Sequence, residues 1–196
     1  MAVGVNRRDA RKESRQRRLV DASLDVLAER GYLDTTVDQI VARARASKTT
    51  FYEFFESKED CVRLLLEREG GSLMQTVHTA AVAGSDPRDR IRRGIRAFVA
   101  ACAEHRRVAR VLLVESVGVS SRIDAVRRLL QGRFAQLVEE DVRAAAASDA
   151  FYAGVDPIVF GRAVVGAVGE AMGHFLSQPA GDPEALATEL CRIFAP

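Results

Sequence analysis

The chain has no tryptophan, and aromatic residues make up only 6% of its 196 positions. Runs of β-branched and aromatic residues are equally scarce, which excludes an all-β fold. The three cysteines, Cys61, Cys102 and Cys191, stand far apart with no CxxC pair. Neither a disulfide framework nor a zinc knuckle is therefore expected, and small buried thiols in a reduced, cytoplasmic protein fit better. No apolar run approaches the roughly 20 residues of a bilayer span. The longest stretch without charge, Gly70 to Ser85, contains Ser, Gln, Thr and His. Charges crowd the N-terminus, where a secretory signal needs an apolar core. A Gly-rich phosphate loop, a nucleophile elbow and any recognisable Cys/His spacing are missing too. No catalytic residue, metal or cofactor is expected.

What is present is Ala, Leu, Arg and Glu in helical spacing, with 47% hydrophobic residues, ample for a core. The formal net charge of +2 hides an uneven distribution. Between Met1 and Val20 seven basic residues (Arg7, Arg8, Arg11, Lys12, Arg15, Arg17, Arg18) face only Asp9 and Glu13. Residues 61–196 are almost balanced, with 17 basic and 16 acidic side chains. Positive charge gathered at one end suits a protein that meets a polyanion with that end. A solvated arm kept soluble by its charge would have the same composition.

Residues 1–12 lack apolar periodicity and are expected to form a flexible basic arm. A first helix follows to Arg30, with Val20, Ser23, Leu24 and Leu27 on one face, Gly31 as a left-handed cap and Tyr32 folded back over the last turn. Thr36 and Gln39 form a capping box ahead of a two-turn helix faced by Val37, Ile40, Val41 and Ala44. Ser47 caps a third short helix carrying Phe51, Phe54 and Phe55, aromatics expected in the core. Ser57 caps a fourth, which starts with Glu59 and Asp60 and runs towards Thr79. Beyond the break at Gly84–Pro87, helices are expected from Pro87, over Val108–Val117, from Ser121 to about Ala147, over Pro157–Ser177 and from Pro183 to Phe194. The fold class is all-α with about nine helices. A head over 13–60 is set against an all-helical body over 61–196.

Two short helices joined by Ala44-Arg45-Ala46 and packed on a longer first helix match a helix-turn-helix, whose second helix enters the DNA major groove. The segment Thr36 to Asp60, with Thr36, Ser47, Thr50, Phe51, Tyr52, Phe55 and Lys58 at signature positions, resembles the tetracycline-repressor (TetR) type of transcriptional regulators. Leu19–Tyr32 is similar to that family's first helix, so the resemblance covers about residues 15–66. It implies double-stranded DNA with a palindromic operator as partner. On that reading Ser47, Lys48 and Thr49 reach base edges, while Thr50 and Tyr52 offer hydroxyls to phosphates. Thr36 and Lys58 set helix N-termini against the backbone. Arg45 departs from the family's usual Gly in the turn. A left-handed backbone there costs about 1–2 kcal/mol, unless the turn takes another geometry.

Glu170 and His174 share a helix face, but the chain has no Glu-x-x-His pair, and no metal site is expected. Glycines at 161, 166, 169 and 173 in one helix suggest close helix approach. By resemblance the last two helices build a homodimer interface, with Val164, Val168, Met172, Phe175, Leu186, Leu190 and Phe194 as candidates; packing within the chain is the alternative. An unknown small-molecule effector would sit among the helices from Pro87 to Ser177. Phe98, Cys102, Leu113, Phe134 and Phe160 are its candidate lining, and His105 and Glu115 its polar contacts. The expected function is a ligand-released repressor. Its rivals are an architectural DNA-binding protein without an effector and a helical-bundle enzyme.

Overall fold

The computed structural model describes residues 7–178 and 181–196, and among these every regular element is helical. Nine α-helices follow in chain order: α1 Arg7–Arg30, α2 Val37–Ala44, α3 Lys48–Tyr52, α4 Lys58–Val82, α5 Pro87–Glu104, α6 Arg106–Arg110, α7 Ser121–Ala145, α8 Pro157–Ser177 and α9 Pro183–Phe194. Local chemistry sets most of the starts. Side-chain oxygens of Thr36, Ser47, Ser57, Asp86, Ser120, Asp156 and Asp182 each accept a backbone N–H in the first turn of the helix that follows. Pro87, Pro157 and Pro183 open α5, α8 and α9, where a missing N–H removes no helical bond.

Two expectations change. The basic arm is already helical from Arg7, and residues 1–6 lie outside the described residues. Arg, Lys, Glu and Ala are strong helix formers, so a solvated helix extends there without an apolar stripe. The short helix expected over Val108–Val117 is two pieces: α6, then a π-helical turn over Val111–Glu115.

Two apolar cores result. The first belongs to the head, with Leu19, Leu27, Ile40, Phe51 and Phe55 at its centre. The expected division at residue 60 falls in the first turn of α4, and this core continues past it through Cys61, Val62, Leu65 and Leu66. It also takes in Val111 and Leu112 from the π turn and Ile123 and Val126 from α7. The second core gathers α5, α7, α8 and α9 around Ile95, Val99, Val142, Tyr152, Val168 and Met172. Helix α4 reaches both regions, packing against α1 and against α5 and α7.

Candidate nucleic-acid interface and ligand cavity

The turn between α2 and α3 is built by backbone bonds. Ala46 N–H donates to the Val41 carbonyl at 2.9 Å and Arg45 N–H to Ala42 at 3.2 Å, the paired bonds of a Schellman ending. Arg45 sits at the position this ending reserves for Gly. With φ 50° and ψ 49° it is the one left-handed non-Gly residue among the described residues. Strain of this kind persists where surrounding structure holds it. Here Arg18 of α1 holds it, donating through Nη2 to the carbonyls of Ala44 at 2.6 Å and Arg45 at 3.3 Å. Arg15, Arg18, Arg45 and Thr50 share one recess beside the turn. The bracing role of Arg18 escaped the sequence reading, because it joins residues 26 and 27 positions apart.

Around this turn Thr36, Arg45, Ser47, Lys48, Thr49 and Tyr52 are exposed and Thr50 is half-buried. Thr36 Oγ1 accepts from Gln39 N–H, and Gln39 Oε1 accepts from Thr36 N–H at 2.9 Å. Ser47 Oγ accepts from Thr50 N–H at 3.0 Å and lies 3.0 Å from the Thr50 hydroxyl. Lys48 Nζ is 2.7 Å from Asp38 Oδ1, which ties α3 to α2 and holds the lysine above its ordinary pKa. Both partners are largely exposed, so the pair is weak and the ammonium stays open to solvent. Beneath this surface Phe51 and Phe55 are buried and Phe54 packs against the same core.

Lys58 is placed differently from the expectation. Its Nζ donates to the carbonyls of Tyr32 and Thr35, both at 2.7 Å, and lies 4.1 Å from the Tyr32 ring centroid. Partial burial pushes its pKa down. The ammonium closes the α1–α2 loop instead of standing free for phosphate. Long-range carbonyl partners of this kind leave no local signature in sequence.

In the body, a cavity of about 120 Å³ opens between α4, α5, α7 and α8. Leu66, Gly70, Leu73, Val77 and Ala81 line it along one face of α4. These 15 residue steps span about 22 Å at 1.5 Å each. Three of the expected lining residues, Phe98, Leu113 and Phe134, are there, and the Phe98 and Phe134 rings meet edge to face at 5.8 Å. Four expected residues stand elsewhere. Cys102 is buried in the second core, where desolvation pushes its thiol up to about 12. His105 is exposed at the α5–α6 break. Glu115 pairs with Arg110 at 2.9 Å and lies against Gly31, where a Cβ would come within 2.9 Å of its Oε2. Phe160 belongs to an aromatic cluster with Phe151, Tyr152 and Phe194.

The candidate interface residues also divide. Val164, Val168, Met172 and Leu190 are buried in the chain's own core, Met172 at 0% exposure, so they have no surface to offer a second copy. Val164, Val168, Met172 and Leu176 of α8 turn inward because packing on α5 and α7 removes their area from water. Phe175, Leu186 and Phe194 are half-buried against that core. The outward face of α8 instead carries Val159 at 66% exposure, Ala163, Gly166 and Ala167, together with the exposed Glu170 and His174. A Cβ at Gly166 or Gly173 would meet nothing within 4 Å.

The family description "Bacterial regulatory proteins, tetR family" matches residues 19–65, and "Tetracyclin repressor-like, C-terminal domain" matches residues 84–194. The chain belongs to the TetR family. Among curated relatives, the HTH-type transcriptional activator FasR of Mycolicibacterium smegmatis is 34% identical over 98 residues, covering 49% of this chain and 45% of that protein. The chain spans about half the length of the curated relatives it matches. FadR of Bacillus subtilis, solved in complex with stearoyl-CoA, aligns over 91% of this chain and 97% of its own with TM-score 0.83 and 17% identity. AibR, solved with isovaleryl coenzyme A and operator DNA, covers 93% and 98% with TM-score 0.77 and 19% identity. At these identities the two structures establish a shared fold.

Polar contacts join the head to the body on two sides. Asp25 and Glu29 of α1 meet Arg43 of α2 and Arg107 of α6: Arg43 Nη2 lies 2.6 Å from Glu29 Oε2, and Arg107 Nη2 lies 2.7 Å from Asp25 Oδ1. The hydrogen bond from Arg43 holds Glu29 below the usual carboxylate range. On the other side of the junction Ser120 hydrogen-bonds Glu59. The π turn carries Leu112 and Leu113 to the cavity and Val111 to the head core. Among the described residues no three His, Cys, Asp or Glu side chains gather into a metal-binding group, and no helix is long and apolar enough to cross a membrane.

Proposed function

We propose that this TetR-family protein is a homodimeric transcriptional repressor that grips a palindromic operator with two heads and releases it when an acyl-coenzyme A thioester enters the body cavity. The observation that carries this reading is the placement of α4. Its first turns lie in the head core, and its next turns form one wall of the cavity. An occupant of the cavity and a bound operator therefore act on one continuous element, the condition for a population shift. The acyl-CoA complexes of FadR and AibR support the ligand class, and the apolar walls suit an acyl chain. Exposed Ser47, Lys48 and Thr49 read bases, while Thr36, Arg45, Thr50 and Tyr52 contact phosphate. The small-residue outer face of α8, with Val159 exposed, pairs with its copy in the dimer.

The test begins with genomic fragments retained by the purified protein. Sequencing should reveal one short palindrome, and light scattering should give twice 21.4 kDa. Dodecanoyl-CoA should then weaken binding to that palindrome about tenfold or more, and DNA should weaken thioester binding by the same factor. Long uniform protection without a palindrome, or operator binding indifferent to acyl-CoA, would overturn the reading.

A further inference from the structure

The far end of the cavity differs from its walls. Its lining is apolar along α4 and α8, and Gln131 is the exposed lining residue, with Arg127 one turn before it on α7. Gln131 brings the lining to solvent on the side of the recess towards the head. At the opposite end, beside Ala81, two charged residues complete the lining: Asp141 from α7 and Arg90 from α5. Asp141 is 5% exposed, and no hydrogen bond reaches its carboxylate from any described residue. Arg90 Nε lies 3.1 Å from Asp141 Oδ1 without the alignment of a hydrogen bond. It is the one buried side-chain nitrogen or oxygen among the described residues that has no partner. The Arg90 stem passes close to Gly84, where a Cβ would fall 2.7 Å from its Cγ, and the side chain as a whole is 39% exposed.

An N–H buried without a partner is costly, and the carboxylate paired with it at 3.1 Å receives no hydrogen bond from it. One small group that both donates and accepts satisfies the two at once. A terminal methyl brought against them leaves the Arg90 N–H orphaned and takes from Asp141 any water that reached its carboxylate. Resting on the acyl-CoA reading above, we infer that this cavity selects acyl chains bearing a terminal hydroxyl, whose oxygen donates to the Asp141 carboxylate and accepts from Arg90 Nε. The thioester head then lies at the open side near Arg127, and the chain runs along α4. The ligand class is ω-hydroxyacyl-coenzyme A, distinguished from plain fatty acyl-coenzyme A by its far end.

Calorimetric titration of the wild-type protein with dodecanoyl-CoA and with ω-hydroxydodecanoyl-CoA decides the matter. The hydroxylated thioester should bind about tenfold tighter or more, as sites built to bond a hydroxyl discriminate against the analogue that lacks it. In D141L the order should invert. In D141N, which keeps an acceptor of the same shape, the preference should shrink without changing sign. Equal affinity in the wild type, or an undiminished preference in D141L, overturns the inference and leaves the acyl-responsive reading standing. If neither thioester binds the wild type, both fall. The wild-type pair of titrations is decisive even where a variant fails to fold.

Discussion

The head and the body of this protein are packed on opposite plans. The head fills its centre with rings: Phe51 at 0% exposure contacts Phe55 and Tyr52, with centroids 5.3 and 5.5 Å apart. The body has its own ring cluster around Tyr152, yet beside it leaves a lined cavity and places a carboxylate in the wall. A DNA reader must hold a few side chains in fixed register, whereas a ligand domain must keep room that its own side chains do not take. Stability should therefore be lost by cutting into the head and gained by simplifying the body.

The largest expected effect tests the head. Phe51→Ala should cost about 3–5 kcal/mol in denaturant unfolding and abolish operator binding with it. A loss under about 1 kcal/mol would mean that the head core is looser than its burial shows. The opposite effect is expected in the body. Burial pushes Asp141 up to about 6 from an ordinary 3.8, with Glu140 raising it further and Arg90 and His78 opposing. The folded protein thus holds this proton more tightly than the unfolded chain does. Stability falls as pH rises from about 4 to 6, and a penalty of up to about 3 kcal/mol remains at neutral pH. Asp141→Asn should therefore raise the melting temperature at pH 7 and change it little near pH 4; an equal shift at both would place its cause outside ionisation.

The smallest effect returns to the head. Arg45→Gly relieves the left-handed backbone and should add about 1 kcal/mol of stability. If the guanidinium meets a phosphate, the same change makes the log affinity–log salt slope shallower by about 0.9. Stability gained with affinity unchanged would make Arg45 a strained residue with no part in DNA binding.

What was legible in sequence follows the range of the interactions. The caps of Thr36, Ser47 and Ser57 act within three residues, and their spacing marks the short helices directly. The left-handed Arg45 could be anticipated because the turn is local. Lys58 could not, since its carbonyl partners lie 23 and 26 residues away. Phe98 and Phe134 stand on the cavity side as expected, yet the resemblance placed Val164, Val168 and Met172 on a dimer face, and they are buried in the chain's own core. Apolar periodicity finds the buried side of a helix but not what buries it. Asp141 was hidden inside the run Glu139-Glu140-Asp141, which reads as a solvated face. Its position seven residues after Phe134 was the available signal, because it shares that ring's side of α7.

The head core borrows Val111, Leu112, Ile123 and Val126 from segments that follow it by more than forty residues. A fragment cut at residue 60 would lose these and would also strip away Cys61, Val62, Leu65 and Leu66, leaving Leu19, Leu27 and Phe51 open to water. The reading head is thus not a detachable module. A chimera that grafts it onto another sensor must carry the α4 seam and the π turn along, or supply apolar side chains of matching volume in their place.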